Sequence, residues 1–312
     1  MHVKRSPAQT DNVVLGIGDD AAIIEPPAGE LLAISVDTLI AGRHFPEQTS
    51  PSDIGYKSLA VNLSDMAAMG AIPRWITLSL ALPEVDERFL SGFSEQLLGL
   101  AERYGVQLIG GDTVRGPLTI TVQIIGTVPA NSALKRSGAR VGDAIFVSGT
   151  LGDAAGGLSI VMEGVTTNDA HYLLQRLNRP TPRVELGRAL RGVASSAIDI
   201  SDGLLADLGH ILEQSGVGAE IDSSQIPCSD ALISFVPDRQ KRLKLMAAGG
   251  DDYELCFPVP ASRVDEVKRI SEELKLPLTQ IGKICEGFEL LLDGEKISQQ
   301  GFDHFKGKEH GS

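Results

Sequence analysis

The residues of this chain whose types and spacing could do chemistry are its aspartates. Asp19, Asp20, Asp37, Asp112, Asp199, Asp202, Asp251 and Asp252 fall at turns or strand ends, and Asp65 lies inside an apolar helix. Oxygen-only ligands of this kind suit Mg²⁺, which keeps waters and shares its shell with substrate phosphates. Gly-Asp is also an ordinary turn pair, and Gly142-Asp143 and Gly152-Asp153 need mean nothing more. The six His and three Cys show no zinc spacing, and the chain has no P-loop, no HRD catalytic loop and no GxSxG elbow. The residues themselves therefore point to a Mg²⁺–phosphate site.

The element that must position Asp65 is the stretch Ser52–Gly70, SDIGYKSLAVNLSDMAAMG. At helical spacing Leu59, Leu63, Met66 and Gly70 form one apolar stripe. Ser58, Asn62, Asp65 and Met69 share a face roughly 100° away. Ala60, Ala67 and Ala71 let neighbours approach closely, so the helix reads as buried, and a buried carboxylate needs a cation or a proton. An Arg partner, or the capping of another element, would serve as well as a metal.

Ahead of it, Gly16–Ile24 fits GxGxxA superficially, but Asp19 and Asp20 would meet a pyrophosphate and Pro26-Pro27 ends any helix, so a dinucleotide site is excluded. Leu31–Asp37 reads as a strand with Leu32, Ile34 and Val36 on one side and Ala33, Ser35 and Asp37, its last residue, on the other. Further strands are expected at Ile76–Leu82, Val106–Ile109 running into Gly110-Gly111-Asp112, and Leu118–Val128, the last long enough to leave an exposed edge in a monomer and so to call for a two-fold homodimer through this domain. A helix is expected from about Asp86 to Tyr104. The mixture without strict alternation indicates an α+β N-terminal domain. A boundary near 130–142 divides the chain into 1–137 and 138–312. The second part reads as α/β, with a strand at Gly142–Gly149 and helices at Asp153–Met162, Asp169–Leu177 and Val184–Val193. Strand Ala197–Ile200 then leads into a helix to Gln214 capped by Ser201 or Asp202.

Among 312 residues, 42% are hydrophobic, enough for a substantial core, and 41 acids against 28 bases give a net charge of −13. That balance argues against a nucleic-acid partner but permits a polyanionic small ligand bridged by cations. No apolar run approaches the roughly 20 residues of a membrane span, and MHVKRSPAQT lacks the apolar core of a secretory signal. Cys228, Cys256 and Cys285 read as buried thiols in a reducing cytoplasm.

The motifs GIGDDAAII, AISVDTLIAGRHF, YKSLAVNLSDMAAMGA, LIGGDTVRGPL, KRSGARVGDAIFVSGTLGD, AIDISDGLLADLGHI, GGDDYELCF and GFDHF follow one another from Gly16 to Phe305. Together they resemble the thiamine-monophosphate kinase family of the AIR-synthase-like superfamily. The resemblance implies a dimer whose N-terminal strands close a barrel, with ATP and several Mg²⁺ between the domains. It places Asp20, Asp37, Asp65, Asp112 and Asp199 at Mg²⁺ ligands, with Asp202 a further candidate. Ser35 and the backbone carbonyl of Val36 (the family often has Thr there) complete the metal set. It places Gly111, Asp112, Arg136 and Ser201 against ATP, and His44, Asp251 and Phe302 against thiamine monophosphate. Asp251 stands where Glu is common, and the short segment that usually precedes GIGDD is missing. The implied reaction is direct phosphoryl transfer, for which an ionised phosphate nucleophile needs no strong general base. Aminoimidazole ribonucleotide synthesis is the competing activity, and a non-catalytic divalent-cation binder the competing class. The selenophosphate and hydrogenase-maturation relatives want cysteines that this chain does not place where they need them.

Overall fold

The structure, a computed structural model, describes residues 12–165 and 169–297. The chain opens with β1 (Val13–Leu15), β2 (Ile23–Ile24), β3 (Glu30–Ile40), α1 (Pro51–Ala68), β4 (Ile72–Leu82), α2 (Glu87–Arg103), β5 (Gln107–Arg115) and β6 (Thr119–Pro129). It continues with β7 (Ala144–Ser148), α3 (Asp153–Glu163), α4 (Ala170–Asn178), α5 (Val184–Ala189), β8 (Ile198–Asp199), α6 (Leu204–Ser215) and β9 (Gly218–Ile221). It closes with α7 (Asp230–Phe235), α8 (Arg239–Ala248), β10 (Leu255–Val259), α9 (Val264–Leu274), β11 (Leu278–Cys285), β12 (Leu290–Leu292) and β13 (Glu295–Lys296).

Two main sheets carry the molecule. The first has four strands in the order β3-β6-β4-β5, with only β4 and β5 parallel. The second has seven, β13-β12-β9-β11-β7-β10-β8, and only β12 and β9 run parallel. Helix α1 lies between them, touching β3, β6 and β4 on one side and α5 and β8 on the other. An apolar cluster is continuous through α1 from Ile120 and Ile124 to Phe146 and Phe257, whose rings stack at 5.9 Å.

Helix α1 begins where local chemistry directs. Ser50 caps it by accepting the Asp53 N–H at 3.1 Å, and Pro51 occupies the first turn, where a missing N–H costs nothing. Leu59, Leu63 and Met66 are fully buried, as the expected stripe requires. Ser58 and Asn62 are buried too, and each donates to the carbonyl four residues back, at 2.7 and 3.0 Å. Small residues set the close approaches: a Cβ on Gly187 of α5 would stand 2.0 Å from the Ala67 carbonyl oxygen. Any side chain there would push α5 off α1.

Several expectations are corrected. Leu118–Val128 is an interior strand, paired on both sides, and the open edges belong to β3 and β5. Strict alternation reports one buried face and says nothing about which strand is outermost. Asp37 and Asp112 sit within β3 and β5 rather than at strand ends, because both ladders continue for three residues beyond them. Of the cysteines, Cys256 is buried whereas Cys228 and Cys285 are partly exposed, and all three are free thiols. Among the described residues no helix is long and apolar enough to cross a membrane.

Candidate active site

The site forms where α1 meets both sheets. On β3, Ser35 and Asp37 face α1, as the alternation requires, and Ser35 Oγ donates to Asp65 Oδ2 at 2.5 Å. One residue before Asp65, Ser64 turns to the second sheet and donates to Asp199 Oδ2 at 2.8 Å. Asp199 ends β8, held there by pairing with Leu255 of β10. Three carboxylates from three elements are thus brought into one partly dry space, with the Arg136 charge beside two of them.

Their proton affinities report the crowding. Burial, then the charges of Asp65 and Asp199, push Asp37 up to about 7. Burial and then Asp65 push Asp199 up to about 7, against Ser64 and Arg136. Asp65 is raised by burial, with Ser35 and Arg136 opposing. Such a group invites a proton or a cation.

The loop after β8 departs from expectation. Neither Ser201 nor Asp202 caps α6, whose cap is Gly203 without a side-chain bond. Instead Asp207, one turn into the helix, reaches back and accepts the N–H groups of Ser201, Asp202 and Gly203 at 3.0, 3.0 and 3.1 Å. A carboxylate gathering three N–H donors satisfies them better than a serine could. It also leaves the Asp202 side chain free of the capping duty. Burial, then Asp199 and Asp202, push Asp207 up to about 7.

Two substrate candidates also meet. Lys57 Nζ lies 3.1 Å from Asp251 Oδ2 and 3.5 Å from the His44 carbonyl oxygen, so His44 and Asp251 flank one buried ammonium. Phe302 lies outside the described residues. Behind Asp251, Glu254 is clamped by Arg183 at 2.5 and 2.6 Å, Arg176 at 3.0 Å and Ser148 at 2.5 Å. That clamp anchors the GGDDYE turn to α4 and β7. Sequence could not reveal it, since both arginines lie more than seventy residues away.

Of the other candidates, Asp20, Asp112, Val36 and Gly111 sit apart in the single chain, while Arg136 and Ser201 border the site. Asp20 is exposed on the turn between β1 and β2, its N–H donating to Asp19 Oδ1 at 3.0 Å. Asp112 shares a row with Ser79, Thr121 and Thr38, on the sheet face turned away from α1. Val36 lies on that outer face, and Gly111 is pressed to Leu78, whose carbonyl oxygen a Cβ would meet at 2.1 Å. Arg136 is exposed, and Ser201 accepts the Asp251 N–H on its carbonyl at 2.9 Å.

A cation fits this donor set only in company. Among the described residues no three acidic, His or Cys side chains close on a single point tightly enough to hold an ion. The Asp37–Asp65–Asp199 group would therefore supply part of a shell, with waters and phosphate oxygens completing it, which is how Mg²⁺ is commonly held. No nucleophile–base pair is present in the group, so what it offers is electrostatic.

A two-sheet fold with carboxylates gathered at the helix between the sheets defines the class. Models of the AIR synthase related protein match the chain, the N-terminal domain over residues 18–128 and the C-terminal domain over 140–293. Thiamine-monophosphate kinase of Salmonella typhimurium is 50% identical over 302 residues, covering 94% of this chain and 93% of that one. The crystal structure of thiamine-monophosphate kinase from Stenotrophomonas maltophilia superposes with a TM-score of 0.89 at 48% identity, covering 93% of each chain. AaThiL complexed with AMPPCP and TMP superposes at 0.82 and 34% identity, covering 93% of this chain and 92% of that one. The chain belongs to the thiamine-monophosphate kinase family.

Proposed function

We propose that this protein transfers the γ-phosphoryl group of ATP to thiamine monophosphate, giving thiamine diphosphate and ADP. A phosphate oxygen of the substrate attacks the γ-phosphorus, and the bond to the β-bridging oxygen breaks with its electron pair leaving on ADP. Both reactants are polyanions, so the largest demand is charge neutralisation and alignment. Bound Mg²⁺ would supply that neutralisation at Asp37, Asp65 and Asp199, with Asp20, Asp112, Asp202, Ser35 and the Val36 carbonyl as further proposed contacts. Arg136 would face phosphate oxygens, while Gly111 and Ser201 would bring backbone close to the nucleotide. His44, Asp251 and Phe302 would receive the thiamine end. The division into domains 1–137 and 138–312 would put that cleft between them.

The observation carrying this reading is the crowded acid group on α1, β3 and β8 in a chain half identical to a thiamine-monophosphate kinase. Incubation with ATP, Mg²⁺ and thiamine monophosphate should give thiamine diphosphate. Product formation from an aminoimidazole precursor instead would transfer the assignment to the competing activity. Free thiols throughout suit a reducing, cytoplasmic setting.

A two-fold homodimer through the first sheet is part of the proposal. Edge strand β3 exposes Leu32, Ile34, Val36 and Ile40 by 40–60%, and Val114 on β5 is exposed by 50% on the same outer face. An open edge beside an apolar face is normally covered. Sedimentation at micromolar concentration should therefore give a dimer, and Ile34→Lys should shift it toward monomer and lower activity. A fully active wild-type monomer would overturn this part.

A further inference from the structure

Helix α1 carries a second stripe. Lys57, Val61, Ser64 and Ala68 recur at i, i+4, i+7 and i+11, and the two polar members of the stripe reach elements of the second half of the chain. Ser64 on this stripe fixes Asp199, and Lys57, two turns earlier, fixes Asp251. Lys57 is only 2% exposed. An ammonium that deep is costly unless paired, so the slot is built around the pair.

Asp251 is equally constrained. Its φ is 70°, in the left-handed region that non-glycine residues seldom occupy, and Tyr253 follows at 51°. Its N–H is tied to the Ser201 carbonyl at 2.9 Å, and a Cβ on Gly250 would lie 2.4 Å from that same oxygen. Among the described residues each carboxylate oxygen has one partner: Oδ2 meets Lys57 at 3.1 Å and Oδ1 accepts the Tyr253 hydroxyl at 3.0 Å. A carboxylate accepts about four hydrogen bonds in all, and the Asp251 side chain keeps 31% of its surface open. The remaining lone pairs are what a ligand can reach.

We infer that Lys57 is a positioning residue for substrate specificity, holding Asp251 toward the cleft and cancelling its charge, so that Asp251 reads thiamine monophosphate as a hydrogen-bond acceptor and not as the counter-ion of the thiazolium. This rests on the reading that Asp251 contacts the substrate. A carboxylate already matched by an ammonium at 3.1 Å offers little net charge to a second cation. It remains a strong acceptor for an N–H such as the exocyclic amine of the pyrimidine. Selectivity then falls on that donor.

The test is steady-state kinetics on the full-length protein, with KM for each substrate and kcat measured separately. Lys57→Met and Asp251→Asn are each expected to raise KM for thiamine monophosphate about tenfold, the first because the carboxylate is no longer held toward the cleft, the second because the amide turns its one oxygen to Lys57 and presents an NH2 in place of the acceptor. KM for ATP should stay unchanged. The double variant should be no worse than the poorer single one, since one interaction is lost either way. Wild type should discriminate against the 4-oxo analogue of the substrate, and Asp251→Asn should lose that discrimination. If Asp251→Asn leaves KM for thiamine monophosphate unchanged, the contact itself is misassigned. If Asp251→Asn raises it and Lys57→Met does not, the role of Lys57 is wrong. Additive losses, or a fall in kcat with a higher KM for ATP, would instead put Lys57 on the phosphates and overturn the inference. Should Lys57→Met fail to fold, Tyr253→Phe removes the other anchor of Asp251 and should raise the same KM about threefold. An unchanged value there would also overturn it.

Discussion

Asp65→Asn is expected to lower kcat by about 10³-fold, the loss seen when one key electrostatic group is removed from a preorganised site, while the protein stays folded. Asp65 is the carboxylate through which the other two are linked. It accepts from Ser35 on β3, follows Ser64, which donates to Asp199, and raises the proton affinity of both Asp37 and Asp199. The amide of Asn still offers an oxygen to Ser35 Oγ, so the local geometry has no reason to collapse. What disappears is one negative charge from the group proposed to hold the cation between two phosphate chains. Turnover at saturating Mg²⁺, ATP and thiamine monophosphate, together with circular dichroism, separates the two effects. Near wild-type turnover would show that Asp65 is structural, and unfolding would show that its charge holds α1 in place.

How much of this site can be read in advance depends on the range of the interactions. Asp37 and Asp65 are legible because strand alternation and helical spacing are local: each sits on a computable face, and those faces do meet. The start of α1 is equally local, written in Ser50, Pro51 and Asp53. Asp199 is legible only as an acid following a buried apolar run. Its partner Ser64 is 135 residues away and looks like any small residue in an apolar helix. The burial of Lys57 has no sequence signal for a related reason, since a lone lysine on a helix is normally solvated, and its pairing depends on Asp251, far along the chain. The loop at 201–203 fails differently. Ser and Asp before a helix are good caps by propensity, but Asp207 satisfies three N–H groups with one oxygen and wins. The interior position of Leu118–Val128 has no local signature at all, because strand order is a property of the whole sheet.

The acid group also sets an expected dependence of stability on pH that runs opposite to ordinary acid denaturation. Asp37, Asp199 and Asp207 are all pushed up to about 7 in the folded protein, from an ordinary value of 3.8. Between those values the folded state holds protons that the unfolded chain has released. Stability of the metal-free protein must then fall as pH rises through that window, and level off only above about 8, the value to which burial pushes Asp252. Each pKa unit is worth about 1.4 kcal/mol, and because the same neighbouring charges raise several of these groups at once the shifts do not add, so the loss is on the order of a few kcal/mol for the whole group. In a chain of this length that corresponds to a melting temperature several degrees lower, at roughly 2–4 °C per kcal/mol. Adding Mg²⁺ should restore the part of the loss that comes from Asp37 and Asp199 at pH 7.5 and do little at pH 5, because at pH 5 protons already occupy the carboxylates. Asp37→Asn, which carries its neutrality at every pH, should melt higher than wild type at pH 7.5 in EDTA, gain less from Mg²⁺, and be inactive. Thermal melts at pH 5, 6 and 7.5 with EDTA or Mg²⁺ decide the matter. The surface carboxylates have finished titrating over that range, but Asp252, pushed up to about 8 by burial, adds to the same trend, so the difference between wild type and Asp37→Asn is what isolates the site group. A metal-free melting temperature that is flat or rising with pH would mean the carboxylates are solvated in the folded protein, and the site would lose the charge strain on which the proposed cation binding rests.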